Sequence, residues 1–293
     1  MRGINAKERV VRRFRRYAGT DEIWPLQGRV AGLEAQVAGL QATAADHERQ
    51  LRIRTVMEWV ALATVPEEPL VSVIMPTRDR AAFVRRAYAS LAAQSYGHWE
   101  LLVVDDASVD DTQALVAAID DDRVRLCVAA GLGACGARNV GLDHVKGDLV
   151  AYLDDDNLAH PDWLKAVVWA FAQRPDVDVL YAGFVIDDLG RVDGAGGGDL
   201  PHVIFQPYDH SDVSHTMVSD MSAIAHRAGV DARFDESLRE MGDWDFLLQA
   251  TKDKPPLVLP FLACSYMTDA PNRLSSGPTY DADLHTVRAR HRR

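Results

Sequence analysis

Cysteine is scarce: Cys127, Cys135 and Cys264 are the only three in 293 residues. They are too few and too scattered for a disulfide framework or a four-ligand zinc site, and reduced, cytosolic thiols are the expectation. Long apolar runs are missing as well. None approaches the roughly 18 residues that span a bilayer, and the N-terminus is too polar for a secretory signal. Positive charge is in short supply, with 32 Lys and Arg against 43 Asp and Glu and a net charge of −11. The deficit is uneven: residues 1–65 balance at +4 and residues 66–293 at −15. An acidic body repels phosphate backbones, which argues against nucleic acid as a partner. The remainder is ordinary, 47% apolar and 26% charged, enough for a core that needs no staple.

The two charge regimes coincide with two sequence styles. Arg9, Arg12, Arg13, Arg15 and Arg16 surround Val10, Val11, Phe14 and Tyr17 at helical spacing. Beyond Gly19 and Pro25, Leu26, Val30, Leu33, Val37 and Leu40 step by four and three, the spacing of a heptad seam. Gly28, Gly32 and Gly39 each weaken a helix by about 1 kcal/mol relative to Ala, and His47 and Arg54 interrupt the seam. The expectation is a basic helical arm over residues 1–65: a short hairpin, a dimerising element or a solvated helix, rather than a long coiled coil. Pro66-Glu67-Glu68-Pro69 closes it.

From Val71 onward, short β-branched runs at 71–75, 101–104, 124–128 and 149–153 alternate with helical stretches at 80–94, 108–119, 136–145 and 162–173. Ser108 with Asp111 has the form of a capping box, and Pro161 suits a first helical turn. Such alternation requires crossover connections and a mostly parallel α/β sheet flanked by helices. A strand over 177–186, a glycine-rich loop over 190–201, a helix over 243–250 and a strand over 258–266 follow. The basic tail, 276–293, reads as helical from Tyr280.

In an open parallel sheet, ligands sit beyond the carboxyl ends of the strands. Asp79, the pair Asp105 and Asp106, and the triplet Asp154, Asp155 and Asp156 all fall at such ends. A lone strand-end Asp is commonly a helix cap, the preferred reading for Asp79 and Asp111 taken singly. Three acidic ends on one edge repel each other unless a cation intervenes. A divalent-metal and phosphate site resolves the repulsion, and all-oxygen ligation suits Mg²⁺ or Mn²⁺. One competing signal exists. Gly131-Leu132-Gly133-Ala134-Cys135-Gly136 matches G-x-G-x-x-G, the dinucleotide fingerprint of an NAD-dependent oxidoreductase. Two strand–helix units precede it, and the acidic end beyond it is a triplet rather than one ribose-binding carboxylate, so this reading is the weaker.

Several motifs, in order, carry a resemblance. Val71-Ser72-Val73-Ile74-Met75-Pro76-Thr77-Arg78-Asp79-Arg80, Leu101-Leu102-Val103-Val104-Asp105-Asp106, Gly136-Ala137-Arg138-Asn139-Val140-Gly141, Leu153-Asp154-Asp155-Asp156-Asn157 and Gly242-Asp243-Trp244-Asp245 resemble the family 2 nucleotide-sugar glycosyltransferases with the GT-A fold. The resemblance spans residues 70–275 and absorbs the glycine motif into that family's Ala-Arg-Asn helix.

The resemblance implies a cytoplasmic enzyme of polysaccharide or glycoconjugate biosynthesis. It would move a sugar, with inversion, from a nucleotide diphosphate (UDP favoured) to a glycan, lipid-linked or small-molecule acceptor. It implies that Pro76, Thr77, Asp79 and Asp106 cradle the nucleoside, and that Asp156, with Asp154, holds Mn²⁺ or Mg²⁺ in a D-x-D motif; Asp154 leans toward ribose, and Asp155 shares either task. Arg138 is a phosphate ligand or an internal ion pair. Asp243 stands where the family places the general base, with Glu240 and Asp245 as competitors. Trp244 is core packing or a sugar platform.

Two departures count against full activity. Gly242 stands where an acidic residue is usual, and Asp269 where many relatives carry a metal-binding His; Asp269 replaces that ligand, or the third ligand is absent. A nucleotide-sugar-binding scaffold without catalysis is therefore the alternative. His202, His210 and His215 lack metal-ligand spacing and read as loop or acceptor-cleft residues. The basic arm implies peripheral contact with anionic lipid at the inner membrane face, or a homodimer.

Overall fold

The structure is a computed structural model describing residues 20–187, 202–208, 219–267 and 279–291, with positions 10, 11, 13 and 16. Most of the 9–17 basic segment, the 190–201 loop, His210, His215 and Asp269 lie outside these residues. The chain divides into two compact units, Met1–Arg52 and Ile53–Arg293.

Helix α1 (Thr20–Leu62) runs unbroken for 43 residues; whether the basic segment before it folds back as a hairpin lies outside the described residues. Glycine lowers helix propensity without forbidding helical dihedrals, so Gly28, Gly32 and Gly39 soften the helix but do not end it. Residues 27–45 are exposed throughout, and the seam positions Val30, Leu33, Val37 and Leu40 among them. No helix among the described residues is long and apolar enough to cross a membrane.

The larger unit is a mostly parallel α/β sheet flanked by helices. Its strands are β1 (Val71–Thr77), β2 (Trp99–Asp106), β3 (Val124–Ala129), β4 (Leu149–Tyr152), β5 (Leu158–Ala159), β6 (Val179–Asp187), β7 (His202–Ile204), β8 (Ile224–Arg227) and β9 (Leu257–Met267). The helices are α2 (Ala81–Ala92), α3 (Thr112–Ala117), α4 (Gly133–Leu142), α5 (Trp163–Gln173), α6 (Gly242–Ala250) and α7 (Tyr280–His291). Strand order is β3-β2-β1-β4-β8-β6-β9-β5, with β7 paired to β6. β1, β2, β3 and β4 are mutually parallel, and β6 and β9 share their direction; β5, β7 and β8 run against it.

Period-two alternation sorts each central strand between two cores. Val71, Val73, Met75, Leu101, Val103, Leu149 and Ala151 join one core with Leu91, Trp163 and Val167. Ile74, Leu102, Val104, Val150 and Tyr152 join the other with Ala137, Phe234, Trp244 and Val287. Each such side chain contributes roughly 1.5–3 kcal/mol on full burial. This two-sided burial explains why the central strands read as nearly unbroken apolar runs.

Two local expectations change. α3 begins at Thr112, and its N-cap Asp111 makes no side-chain cap bond. Asp110 accepts from the Thr112 N–H instead (2.9 Å), while Ser108 Oγ accepts from the Asp79 N–H in the neighbouring loop (2.8 Å). The predicted capping box is thus replaced by a β1–β2 loop contact. Pro161 precedes α5 rather than entering it, and its carbonyl accepts from the Ser95 N–H (2.8 Å).

Candidate active site

Because β1, β2 and β4 are parallel neighbours, their carboxyl ends meet along one edge. There a cavity of about 500 Å³ opens, and Pro76, Thr77, Asp79, Asp106, Arg138, Asp154, Asp155, Asp156, Glu240 and Asp243 all face it. Asp79 and Ala107, at the ends of β1 and β2, adopt left-handed backbone (φ 53° and 62°), a costly conformation that tends to cluster at functional sites.

The acidic triplet is paired with two arginines. Arg138 Nη2 donates to Asp154 Oδ1 at 2.6 Å. Arg80 Nη1 donates to Asp155 Oδ1 at 3.0 Å and to Asp156 Oδ2 at 3.1 Å. Thr77 Oγ1 donates to the other Asp155 oxygen at 2.6 Å. Burial still pushes the Asp155 carboxyl up to about 6, with the Asp156 charge adding to the shift and Thr77 and Arg80 opposing it. Asp154 is a quarter exposed at its side chain and Asp156 about an eighth, so the carboxylates at the triplet's ends reach the cavity.

Asp106 takes a different place. Its two oxygens accept the backbone N–H groups of Leu132 (2.7 Å) and Gly133 (2.8 Å). The glycine motif's first amides, with Gly131 and Gly133 at positive φ, are therefore turned onto a carboxylate rather than left open for a pyrophosphate. Asp79 likewise accepts from the Val109 N–H (2.6 Å) and, more loosely, the Asp110 N–H (3.3 Å), bracing the loop after β2. Both residues hold the cavity wall while lining it.

The opposite wall comes from α6 and the segment before it. Asp243, in the first turn of α6, accepts from the Trp244 N–H (2.8 Å). Burial pushes its carboxyl up to about 6; Arg138 opposes the shift and Asp154 adds to it. Glu240 accepts from the N–H (3.1 Å) and hydroxyl (2.7 Å) of Thr279. Asp245 is fully buried outside the cavity, bound by Gln249, Arg290 and His291, which removes it as a competitor. Trp244 is 1% exposed and lies in the core rather than on the cavity.

Sequence reasoning passed over Arg80, which stands inside a quoted motif with its salt-bridging role unnoticed. It also passed over Asp220, a cavity carboxylate in an unpatterned loop. Asp220 accepts from the Asn157 side chain (3.1 Å) and the Ser222 N–H (2.9 Å), and burial followed by the charges of Asp154 and Asp243 pushes its pKa up. Asn157, beside the triplet, was the only nearby signal.

Among the described residues no three His, Cys, Asp or Glu side chains converge as a ready-made metal cage. The donor chemistry nevertheless fits a hard cation: Asp154 and Asp156 offer only oxygen, at the rim of the cavity, and Mg²⁺ commonly takes one or two carboxylates and completes its shell with water and phosphate.

Comparisons place this geometry among known proteins. Residues 72–214 match the family described as Glycosyl transferase family 2. The chain is 38% identical over 129 residues to the Escherichia coli UDP-Glc:alpha-D-GlcNAc-diphosphoundecaprenol beta-1,3-glucosyltransferase WfgD, covering 44% of this chain and 51% of that protein. It is 33% identical over 203 residues to the Rhizobium meliloti succinoglycan biosynthesis protein ExoO, covering 64% and 57%. The fold matches S. aureus TarS bound to UDP-GlcNAc with a TM-score of 0.59 at 23% identity, over 74% of this chain and 64% of that one. The chain thus spans little more than half the length of these two curated relatives.

Proposed function

The chain carries a family 2 glycosyltransferase domain of the GT-A fold, and on that premise we propose that it transfers a sugar, with inversion, from a nucleotide diphosphate to an acceptor hydroxyl. The observation that carries this reading is the facing of Asp243 and the Asp154–Asp156 triplet across one cavity of about 500 Å³.

The roles follow from the chemistry. Pro76, Thr77, Asp79 and Asp106 shape the nucleoside end of the cleft. A base imide N–H has acceptor lone pairs left on the Asp106 and Asp79 carboxylates, whose loop bonds keep them aimed; this favours uracil over bases with the opposite donor pattern. Arg138, charged and buried between Asp154 and Asp243, holds the diphosphate end by moving part of its donor capacity from Asp154 to phosphate. Its Nε lacks a partner, an orphaned donor that an incoming anion would satisfy. Asp156 and Asp154, with Asp269 as a further candidate, would hold Mn²⁺ or Mg²⁺, which supplies Lewis-acid neutralisation of the leaving diphosphate.

Asp243 accepts the acceptor hydroxyl's proton as that oxygen attacks the anomeric carbon from the face opposite the departing phosphate. A base with its pKa near 6 is ionised at neutral pH yet basic enough to share the proton in the transition state. Glu240, tied to Thr279, is the reserve carboxylate of that wall.

We place the transferase domain at residues 70–275, between the basic arm 1–65 and the tail 276–293. By analogy with the lipid-linked substrate in the name of WfgD, the acceptor is a lipid-linked glycan met at the cytoplasmic face of a membrane. The decisive experiment is turnover of a panel of UDP-sugars with Mn²⁺, alongside calorimetry of UDP with and without the metal. Turnover that Asp243→Asn abolishes while UDP binding persists supports the enzyme. UDP binding without turnover of any sugar points to the scaffold alternative. A protein blind to UDP in both conditions refutes the reading.

A further inference from the structure

The smaller unit contains a surface that the transferase reading leaves unused. Continuing the heptad in both directions puts Ile23, Val30, Val37, Ala44 and Leu51 at a, and Leu26, Leu33, Leu40 and His47 at d. The structure keeps this stretch inside one unbroken helix, so the heptad frame continues past the polar break at His47 to Leu51, about 43 Å at 1.5 Å per residue. Val30, Leu33, Val37, Leu40 and Leu51 are 52%, 58%, 51%, 71% and 64% exposed. A solvated helix gains little from such residues, because helical stability in water comes mainly from burying an apolar face.

We propose that this face is covered by a second copy of the chain, in a parallel, in-register, two-stranded coiled coil over residues 23–51. Three observations select that occupant. β-branched Ile and Val at a with Leu at d favour two parallel strands over higher orders. The flanking charges are complementary in that register: Arg29 falls at g and Glu34 at the following e, so each copy's Arg29 meets the other's Glu34 on both sides of the seam. Gly28, Gly32 and Gly39 fall at f, c and c, the positions that face away from a partner, and nothing lies within 4 Å of where their Cβ atoms would stand. The three glycines are thus all outside the seam, while Val30, Leu33, Val37 and Leu40 lie inside it.

Sedimentation of the full chain tests the dimer, and single cysteines test its register. Cys127, Cys135 and Cys264 are buried, so an introduced thiol reports alone. Expected is a mass about twice the 32.3 kDa of one chain, with Leu33→Cys forming a disulfide-linked dimer on mild oxidation and Gly32→Cys, on the outer face, remaining largely uncrosslinked. Arg29→Glu places like charges across the seam and weakens dimerisation about tenfold, and Glu34→Arg in the same chain restores it. Because that pair leaves the apolar seam intact, its rescue separates lost pairing from an unfolded helix. A single-chain mass at every concentration tested overturns the proposal. So does a dimer in which Leu33→Cys fails to crosslink, which would mean an antiparallel seam or a different interface.

Discussion

Cys135 occupies the space that a side chain at Gly242 would need. A Cβ built on Gly242 would overlap the Cys135 Sγ, while the Cys135 Cβ itself stands an ordinary 3.9 Å away. The thiol is buried, and burial pushes its pKa up to about 11, so it is a packing group rather than a nucleophile. The glycine where an acidic residue was expected is thereby explained by packing between α4 and α6. It need not signal lost catalysis.

That contact makes a coupled prediction. Gly242→Ala should destabilise the protein by about 1–3 kcal/mol, as overpacking does. Cys135→Ala should remove most of the penalty when combined with it, leaving a double-mutant coupling of at least about 1 kcal/mol in urea denaturation. Additive effects would mean that the thiol swings aside freely.

Asp243 predicts the pH profile. In the proposed role of general base it must be ionised, so kcat/KM should rise with pH through about 6 and level off beyond it. Asp243→Asn should lower kcat by about 10²–10⁴ and erase that acid limb, with UDP affinity nearly unchanged. A variant that loses UDP binding in parallel with turnover would make Asp243 a donor ligand instead.

Arg80 predicts how the acidic triplet responds to a cation. Arg80→Met leaves Asp155 and Asp156 without their guanidinium, at a cost of about 3 kcal/mol. Mn²⁺ should then raise the melting temperature more in the variant than in the unaltered protein, because a cation restores charge balance that Arg80 otherwise supplies. Equal shifts in the two proteins would mean that Mn²⁺ does not act at these carboxylates.

His226 predicts acid sensitivity of the core. Its Nε2 pairs with the Tyr152 hydroxyl and its Nδ1 with the Arg227 carbonyl, both at 2.8 Å. The carbonyl can only accept, so Nδ1 carries the proton and Nε2 accepts from the tyrosine. Burial lowers the pKa from 6.5 to about 4. The folded value lies below the unfolded one, so the stability tied to neutral His226 is full above about pH 6.5 and is lost as pH falls toward 4, by about 3 kcal/mol. Asp155 and Asp243, raised to about 6, act oppositely: their contribution is full at low pH and is lost as pH rises through 6. The difference between the unaltered protein and His226→Gln cancels the carboxylates. The variant should therefore gain about 3 kcal/mol relative to the parent between pH 7 and pH 4; a constant difference would refute the assignment.

Much of the architecture was legible beforehand because it is written in local periodicity. Val71–Met75 and Leu101–Val104 announce buried parallel strands, and alternation with helices sets the edge on which Asp79, Asp106 and Asp154 gather. The length of α1 was less legible, since glycine's weakening of a helix is graded and whether the helix survives depends on all 43 residues together.

What the amino-acid order determined, then, is that the strand-end carboxylates Asp79, Asp106 and Asp154 to Asp156 gather at one edge. What only the folded chain decided is whom each one meets: Arg138 for Asp154, Arg80 for Asp155 and Asp156, two loop amides for Asp106, Cys135 beneath Gly242, and Asp220 from an unmarked loop. Strand and helix signals arise between residues a few positions apart. These pairings join residues about 16 to more than 100 positions apart, and such meetings depend on how the whole sheet brings distant segments together.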